Sequence, residues 1–413
     1  MPEIRIDLYS DTLTKPTKEM REFALSAEVG DEQRGEDPSV NVLQDMVAEM
    51  LGKEAALFLP SGTMCNVISF VVHCRAGEVV LLDRTAHPFI AEGGAASVVG
   101  GVVFFPLDGE RGMFSVRQLE EVLFPPSRYR PPARLLSIEQ TVNLPGGLVW
   151  PQERIWEVCA TAKDRGLSTH MDGARLLNAS VATGISVADY AQTLDSVWID
   201  LSKGVGAPVG AVLAGTNEFI TQAWQWKQRL GGAMRQAGII AAAGIYGLRH
   251  QIERLAEDHE NAKRLAQGIA GAPGIGIDPG VVETNIVRFN VDYPGLTAYD
   301  YADRLLQELV HPVEHTARTS THDRDVVDRD DDAQLFLPVF PVQCMSYVAL
   351  LQRFARSDEH VLRPGYTLGA DRKLITGGLG EEVTELLSRI GLAFDGRLRH
   401  HDCPVRHRPH IQP

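Results

Sequence analysis

The sequence predicts an α/β protein with a large, mostly parallel-sheet domain and a smaller α+β C-terminal domain. Three observations carry that reading. From about residue 38 to 250, short apolar runs alternate with helical patterns, as a parallel sheet covered on both faces requires. A length of 413 residues exceeds one ordinary core and favours two domains. Three predicted strand ends carry chemically active residues, and strand ends are where such sheets hold ligands.

The elements follow in chain order. "NVLQDMVAEMLG" has apolar residues at helix spacing and stops on Gly52. "AALFLP" is a buried strand closed by Pro60, and "SGTMCN" leads from it into the helix "VISFVVHC". "EVVLLD", "GGVVFFPL", "ARLLSIE", "GLSTHMD", "SVWIDLS" and "GAVLAG" are further strands, each punctuated by turn residues. "RQAGIIAAAGIYGLRHQIERLAEDHENAKRLAQGI" predicts one or two helices leaving the large domain, and "NIVRFNV" begins the smaller region. No internal repeat is present. These signals divide the chain into an N-terminal arm (1–20), a large domain (21–250), a small domain (251–330) and a divergent extension (331–413). The extension includes the acidic "DRDVVDRDDDA", and its last dozen residues are expected to be extended or disordered. Its His400, His401, Cys403, His407 and His410 fit no standard metal spacing and are assigned no function.

Composition excludes several classes. A formal net charge of -14 argues against non-specific binding to nucleic acid or anionic membranes. No apolar run is long enough to span a membrane, and the N-terminus lacks the apolar core of a signal peptide. Five cysteines, at 65, 74, 159, 344 and 403, show neither disulfide nor zinc spacing, so a cytoplasmic, metal-free protein is expected.

Chemistry concentrates around "WIDLSKGVGAPVG". Lys203 there is either a solvated strand-end lysine or a desolvated amine suited to condense with a carbonyl group. "STHMDGAR" ends another strand with Asp172 and Arg175, about 31 residues earlier. That gap is one strand–helix–strand unit, which brings carboxylate and amine to the same sheet edge. Ser61, Gly62 and Thr63 open a helix whose free N–H groups and hydroxyls suit a phosphate. An amine, a carboxylate and a phosphate cradle together describe pyridoxal 5'-phosphate: the lysine forms the Schiff base, and the carboxylate keeps the pyridine nitrogen protonated.

Over roughly residues 5 to 325 the chain resembles the low-specificity L-threonine aldolases, in the β-eliminating lyase family of fold-type I pyridoxal-phosphate enzymes. "LYSDTLTKPT", "VGDEQRGEDPSVNVLQ", "GKEAALFLPSGTMCN", "AHPFIAEGGAA", "SIEQTVN", "HMDGARLLNA", "LSKGVGAPVGAVLAG", "GGAMRQAGIIAAAGIYGL" and "TNIVRF" carry the likeness. The resemblance implies Lys203 as Schiff-base lysine, Asp172 as pyridine partner, and Ser61, Gly62 and Thr63 as the phosphate turn. It implies His87 stacked on the cofactor as a candidate acid or base, and Arg235 near the phosphate. Ser10 and Arg175 match groups near the substrate carboxylate and cofactor, and Arg318 resembles a C-terminal carboxylate clamp. A homodimer or homotetramer with active sites at the subunit interface is implied as well.

Four positions depart from the family pattern. Val142 stands where the second active-site histidine is usual, Tyr9 where arginine is, Arg34 where tyrosine is, and Gln228 where lysine is. Valine can neither accept a proton nor donate a hydrogen bond, and in the side-chain pocket it favours a more apolar β-substituent. The expected reaction is retro-aldol cleavage of L-threonine, L-allo-threonine or a related β-hydroxy-α-amino acid to glycine and an aldehyde. Alternatives are β-elimination, β-replacement or transaldol transfer on another amino acid, or a non-catalytic cofactor-binding subunit.

Overall fold

In the computed structural model, residues 8–125, 127–302, 304 and 348–349 are described. Arg318 and nearly all of the extension, including the His400–His410 cluster, lie outside them. The chain begins with the helices α1 (Lys18–Leu25) and α2 (Pro38–Leu51), followed by β1 (Ala55–Leu59) and α3 (Gly62–His73). β2 (Val79–Asp83), α4 (His87–Ile90), α5 (Ala95–Gly100), β3 (Val103–Leu107) and α6 (Val116–Val122) come next. β4 (Ala133–Glu139), α7 (Gln152–Asp164), β5 (Ser168–Gly173), α8 (Leu176–Thr183) and α9 (Val187–Ala191) continue the alternation. β6 (Ser196–Asp200) and β7 (Ala211–Gly215) complete the large sheet before α10 (Asn217–Arg229), α11 (Gly238–His250) and α12 (Leu255–Ile269).

The seven strands lie in the order β1-β7-β6-β5-β4-β2-β3. Only β7 is reversed, antiparallel to both β1 and β6. Every apolar run expected to be a strand is one, because Val, Leu, Ile and Phe sit between helices on both faces. In β2, β6 and β7 no residue is exposed. The order also sets the chemistry. β4, β5, β6 and β1 end on the same edge, with Glu139 beside Asp172 and Asp172 beside Trp198 in register.

One helix starts earlier than the sequence reading places it. The helix expected at "VISFVVHC" begins in the preceding turn, at Gly62, because the Ser61 hydroxyl accepts the Met64 N–H at 3.2 Å and caps it. The long helical pattern splits into α11 and α12. α12 presses its first residue onto the turn after Lys203, where a Cβ on Gly204 would lie 2.5 Å from Leu255 Cδ2. After it, Ile286–Val287 pairs antiparallel with Val348–Ala349, and Asn290–Val291 with Ile275–Gly276.

Gly173 closes β5 where a side chain has no room: its Cβ would lie 2.1 Å from the Trp198 carbonyl oxygen of β6. Backbone at that distance cannot rotate away. Gly173→Ala is therefore expected to destabilise the fold by about 1–3 kcal/mol, measured as a lowered urea midpoint.

Candidate active site

Lys203 begins the turn after β6 with φ of 41°, in the left-handed region that non-glycine residues rarely adopt. Such strain is of order 1–3 kcal/mol and clusters at functional positions. Its Nζ lies 2.9 Å from Asp200 Oδ2 and 5.8 Å from the centre of the Trp198 ring.

One strand away, Asp172 is 2% exposed. Oδ2 accepts from Asn66 Nδ2 at 2.9 Å, and Oδ1 accepts from the Ala174 N–H at 3.1 Å. No cation pairs with it among the described residues. A buried carboxylate ordinarily has one, so this carboxylate suits a ligand that brings its own positive charge.

Asn66, four residues beyond Gly62 in α3, organises this end of the sheet. Its side chain is fully buried, and its oxygen accepts from Trp198 Nε1 at 2.8 Å. An indole N–H can only donate, so the orientation of the amide is determined: both N–H bonds face carboxylates, Asp172 and Glu92. Behind it, His170 Nε2 lies 3.3 Å from the same amide oxygen, and Ser196 bridges His170 Nδ1 and His73 Nε2 at 2.8 Å each. Burial pushes His73 down to about 4 and His170 well below the ordinary histidine value.

His87 opens α4 beside two buried carboxylates, Glu92 and Glu139. Its Nδ1 lies 2.9 Å from Glu92 Oε1, and its backbone N–H donates to Glu139 Oε2 at 2.6 Å. The hydrogen bond to Glu92 raises the imidazole above its ordinary value, with Asp172 and Glu139 adding to it and burial opposing. Glu92 is itself raised by burial and by Asp172. Glu139 is pushed up to about 7 by burial and Asp172, against the N–H groups of Asn143 and His87.

Arg175 reaches across 164 residues to Asp11 in a two-pronged pair, Nε to Oδ2 at 2.7 Å and NH2 to Oδ1 at 2.8 Å. Asn285 adds a hydrogen bond to Asp11 at 3.0 Å. Ser10, one residue before, spends its hydroxyl on capping the turn Asp11–Leu13, which packs against Lys203–Val205. Arg235 is largely exposed beside Asp31 at 2.9 Å. Its turn borders the start of α3, where a Cβ on Gly232 would meet Met64 Sδ at 2.5 Å. Lys227 and Glu32 form a fully buried ion pair under that turn, and Glu32 also accepts the Met234 N–H.

The sheet edge thus gathers Lys203, Asp172, His87, Arg175 and the Ser61–Thr63 turn. Val142 is 1% exposed, lies against Gly112, and lines a small enclosed cavity with Glu139, Thr85 and Trp150. Its backbone bridges to Leu148. Sequence reasoning missed Asn66, Glu92, Glu139, Asp200 and Asp11. The signal was there for Asn66, a polar residue inside the apolar pattern of α3, and for Glu92, five residues after His87.

A family model described as beta-eliminating lyase matches residues 7–292. The low specificity L-threonine aldolase of Escherichia coli (strain K12) is 41% identical over 287 residues, 69% of this chain and 84% of that protein. The probable low-specificity L-threonine aldolase 2 of Arabidopsis thaliana is 43% identical over 290 residues, 69% of this chain and 82% of that one. Among solved structures, a putative L-allo-threonine aldolase from Listeria monocytogenes EGD-E shares the fold with a TM-score of 0.62. It is 23% identical and covers 73% of this chain and 84% of its own.

The Asp11–Arg175 pair yields a stability prediction. Burial opposes charge on Asp11, but Arg175 beside it holds the carboxyl below the ordinary 3.8. The stabilisation is therefore present above that unfolded value and is lost as pH falls through the lower folded one. Asp11→Ala leaves a buried guanidinium uncompensated and is expected to cost about 3–5 kcal/mol at pH 7 in chemical denaturation, with the deficit shrinking towards acid pH.

Proposed function

The chain belongs to the beta-eliminating lyase family, and from that premise we propose a pyridoxal-phosphate-dependent carbon–carbon lyase. Its substrate is L-threonine, L-allo-threonine or a related β-hydroxy-α-amino acid, cleaved to glycine and an aldehyde. The observation that carries the reading is Asp172, a buried carboxylate with no cation beside it among the described residues, one strand from the strained Lys203. The residues suit the cofactor. Lys203 would hold it covalently, Asp172 would meet its ring nitrogen, His87 would lie against the ring, and Ser61, Gly62 and Thr63 would take the phosphate at the start of α3. Bound there, pyridoxal 5'-phosphate supplies an electron sink for the bond broken at Cα.

The remaining roles fall to the chain's own side chains. Asp11 occupies one edge of the Arg175 guanidinium, whose other nitrogen donates to Asn143 Oδ1 at 3.3 Å. Arg175 would reach the substrate carboxylate together with Ser10 and with Arg318, which lies outside the described residues. That grip selects which bond at Cα is broken. His87 accepts the proton of the β-hydroxyl. Arg235 would contribute to the phosphate site across a subunit boundary. An oligomer of this chain is favoured by apolar exposure next to His87, where Phe89, Ile90 and Val98 are 41, 48 and 83% exposed. A cytoplasmic enzyme acting on free amino acids completes the reading.

The test mixes the cofactor-loaded protein with L-allo-threonine and with L-threonine, and assays glycine with acetaldehyde against ammonia with 2-oxobutanoate. Glycine and acetaldehyde are expected; ammonia instead would establish β-elimination. Lys203→Ala is expected to lose turnover together with the visible absorption band of the loaded protein.

A further inference from the structure

Resting on the aldol-cleavage reading, we propose that Glu92 is a positioning residue that fixes the tautomer of His87, so that Nε2 is the ring atom offered to the substrate's β-hydroxyl. The geometry begins at Trp198. Because its indole N–H is a donor only, Asn66 must turn its oxygen there and its two N–H bonds towards Asp172 and Glu92. Glu92 Oε1 thus accepts from Asn66 at 2.8 Å, and the same oxygen lies 2.9 Å from His87 Nδ1. The Glu92 side chain is 2% exposed, so water does not compete for that contact.

An oxygen already accepting from the NH2 group of Asn66, which can only donate, takes the Nδ1–H of His87 as well. A neutral imidazole with its proton on Nδ1 carries its lone pair on Nε2. Nε2 makes no hydrogen bond among the described residues, and the ring is 41% exposed. The ionisable groups acting on the ring are Glu92, Asp172 and Glu139, and all three are acidic. With valine at 142, the loop after β4 offers no second imidazole, and proton acceptance falls to His87.

The step balances. The β-hydroxyl proton moves to Nε2, the O–H electron pair becomes the second bond of the aldehyde, and the Cα–Cβ pair stays on the glycine carbon. The proton on Nε2 is then available for that carbon.

The experiment uses full-length protein labelled with ¹⁵N-histidine, with His87→Asn to assign the resonance. In the wild-type protein His87 is expected as the Nδ1–H tautomer, titrating above 6.5. In the Glu92→Gln protein the titration midpoint is expected to fall by about one pH unit, with a growing Nε2–H population. The acidic limb of glycine formation by the loaded variant shifts down with it, and kcat falls more than KM rises. Glu92→Asp restores the tautomer in part. A wild-type ring in the Nε2–H form, or a titration that Glu92→Gln leaves unmoved, overturns the proposal; the first measurement needs no variant. Absence of glycine from the wild-type enzyme, with the Nδ1–H tautomer intact, would instead overturn the reaction and the hydroxyl as the partner of Nε2.

Discussion

Everything at the sheet edge depends on one buried carboxylate. Asp172 ends β5 at 2% exposure, with hydrogen bonds but no cation among the described residues. A charge in that position is costly unless something compensates it, and the surroundings are arranged around that cost. Asn66 donates to it, Trp198 orients Asn66, and the packing of Trp198 against Gly62 ties both to the start of α3. The anion cradle and the carboxylate are thereby held by the same few side chains.

The acidic groups of the site share their environment. Burial, with Asp172 adding to it, raises both Glu92 and Glu139, and these in turn bear on His87 through a side-chain and a backbone hydrogen bond. One imidazole is therefore flanked by three carboxyls, which favours its charged form and makes proton uptake easy. On the other side, Lys203 and Arg175 are each met by an aspartate, Asp200 and Asp11. Both cations thus have their charge balanced inside the protein, whereas Asp172 has no cation among the described residues.

Distant segments hold this arrangement in place. The turn at Asp11–Leu13 packs on Lys203–Val205, and Leu255 presses on Gly204 from α12. The buried Glu32–Lys227 pair anchors the turn carrying Arg235 against α3. Lys203 keeps a strained backbone because packing on several sides leaves it no alternative.

The sequence by itself determined the seven strands, the mostly parallel sheet, and the placement of Asp172 and Lys203 at neighbouring strand ends. Apolar runs, turn residues and the length of one crossover unit are local signals, and local signals are legible in a chain. The Ser61–Thr63 turn and its helix were legible for the same reason, although the helix starts at Gly62 rather than Val67. Only the tertiary structure decided which polar groups meet. Asn66 finds Trp198 132 residues away, and Arg175 finds Asp11 across 164. It also buried Val142 beside Glu139 and Trp150. Period and composition show which side of an element is buried. They do not show which donor will face which acceptor once that side is closed, because that choice is made by packing between elements far apart in the chain.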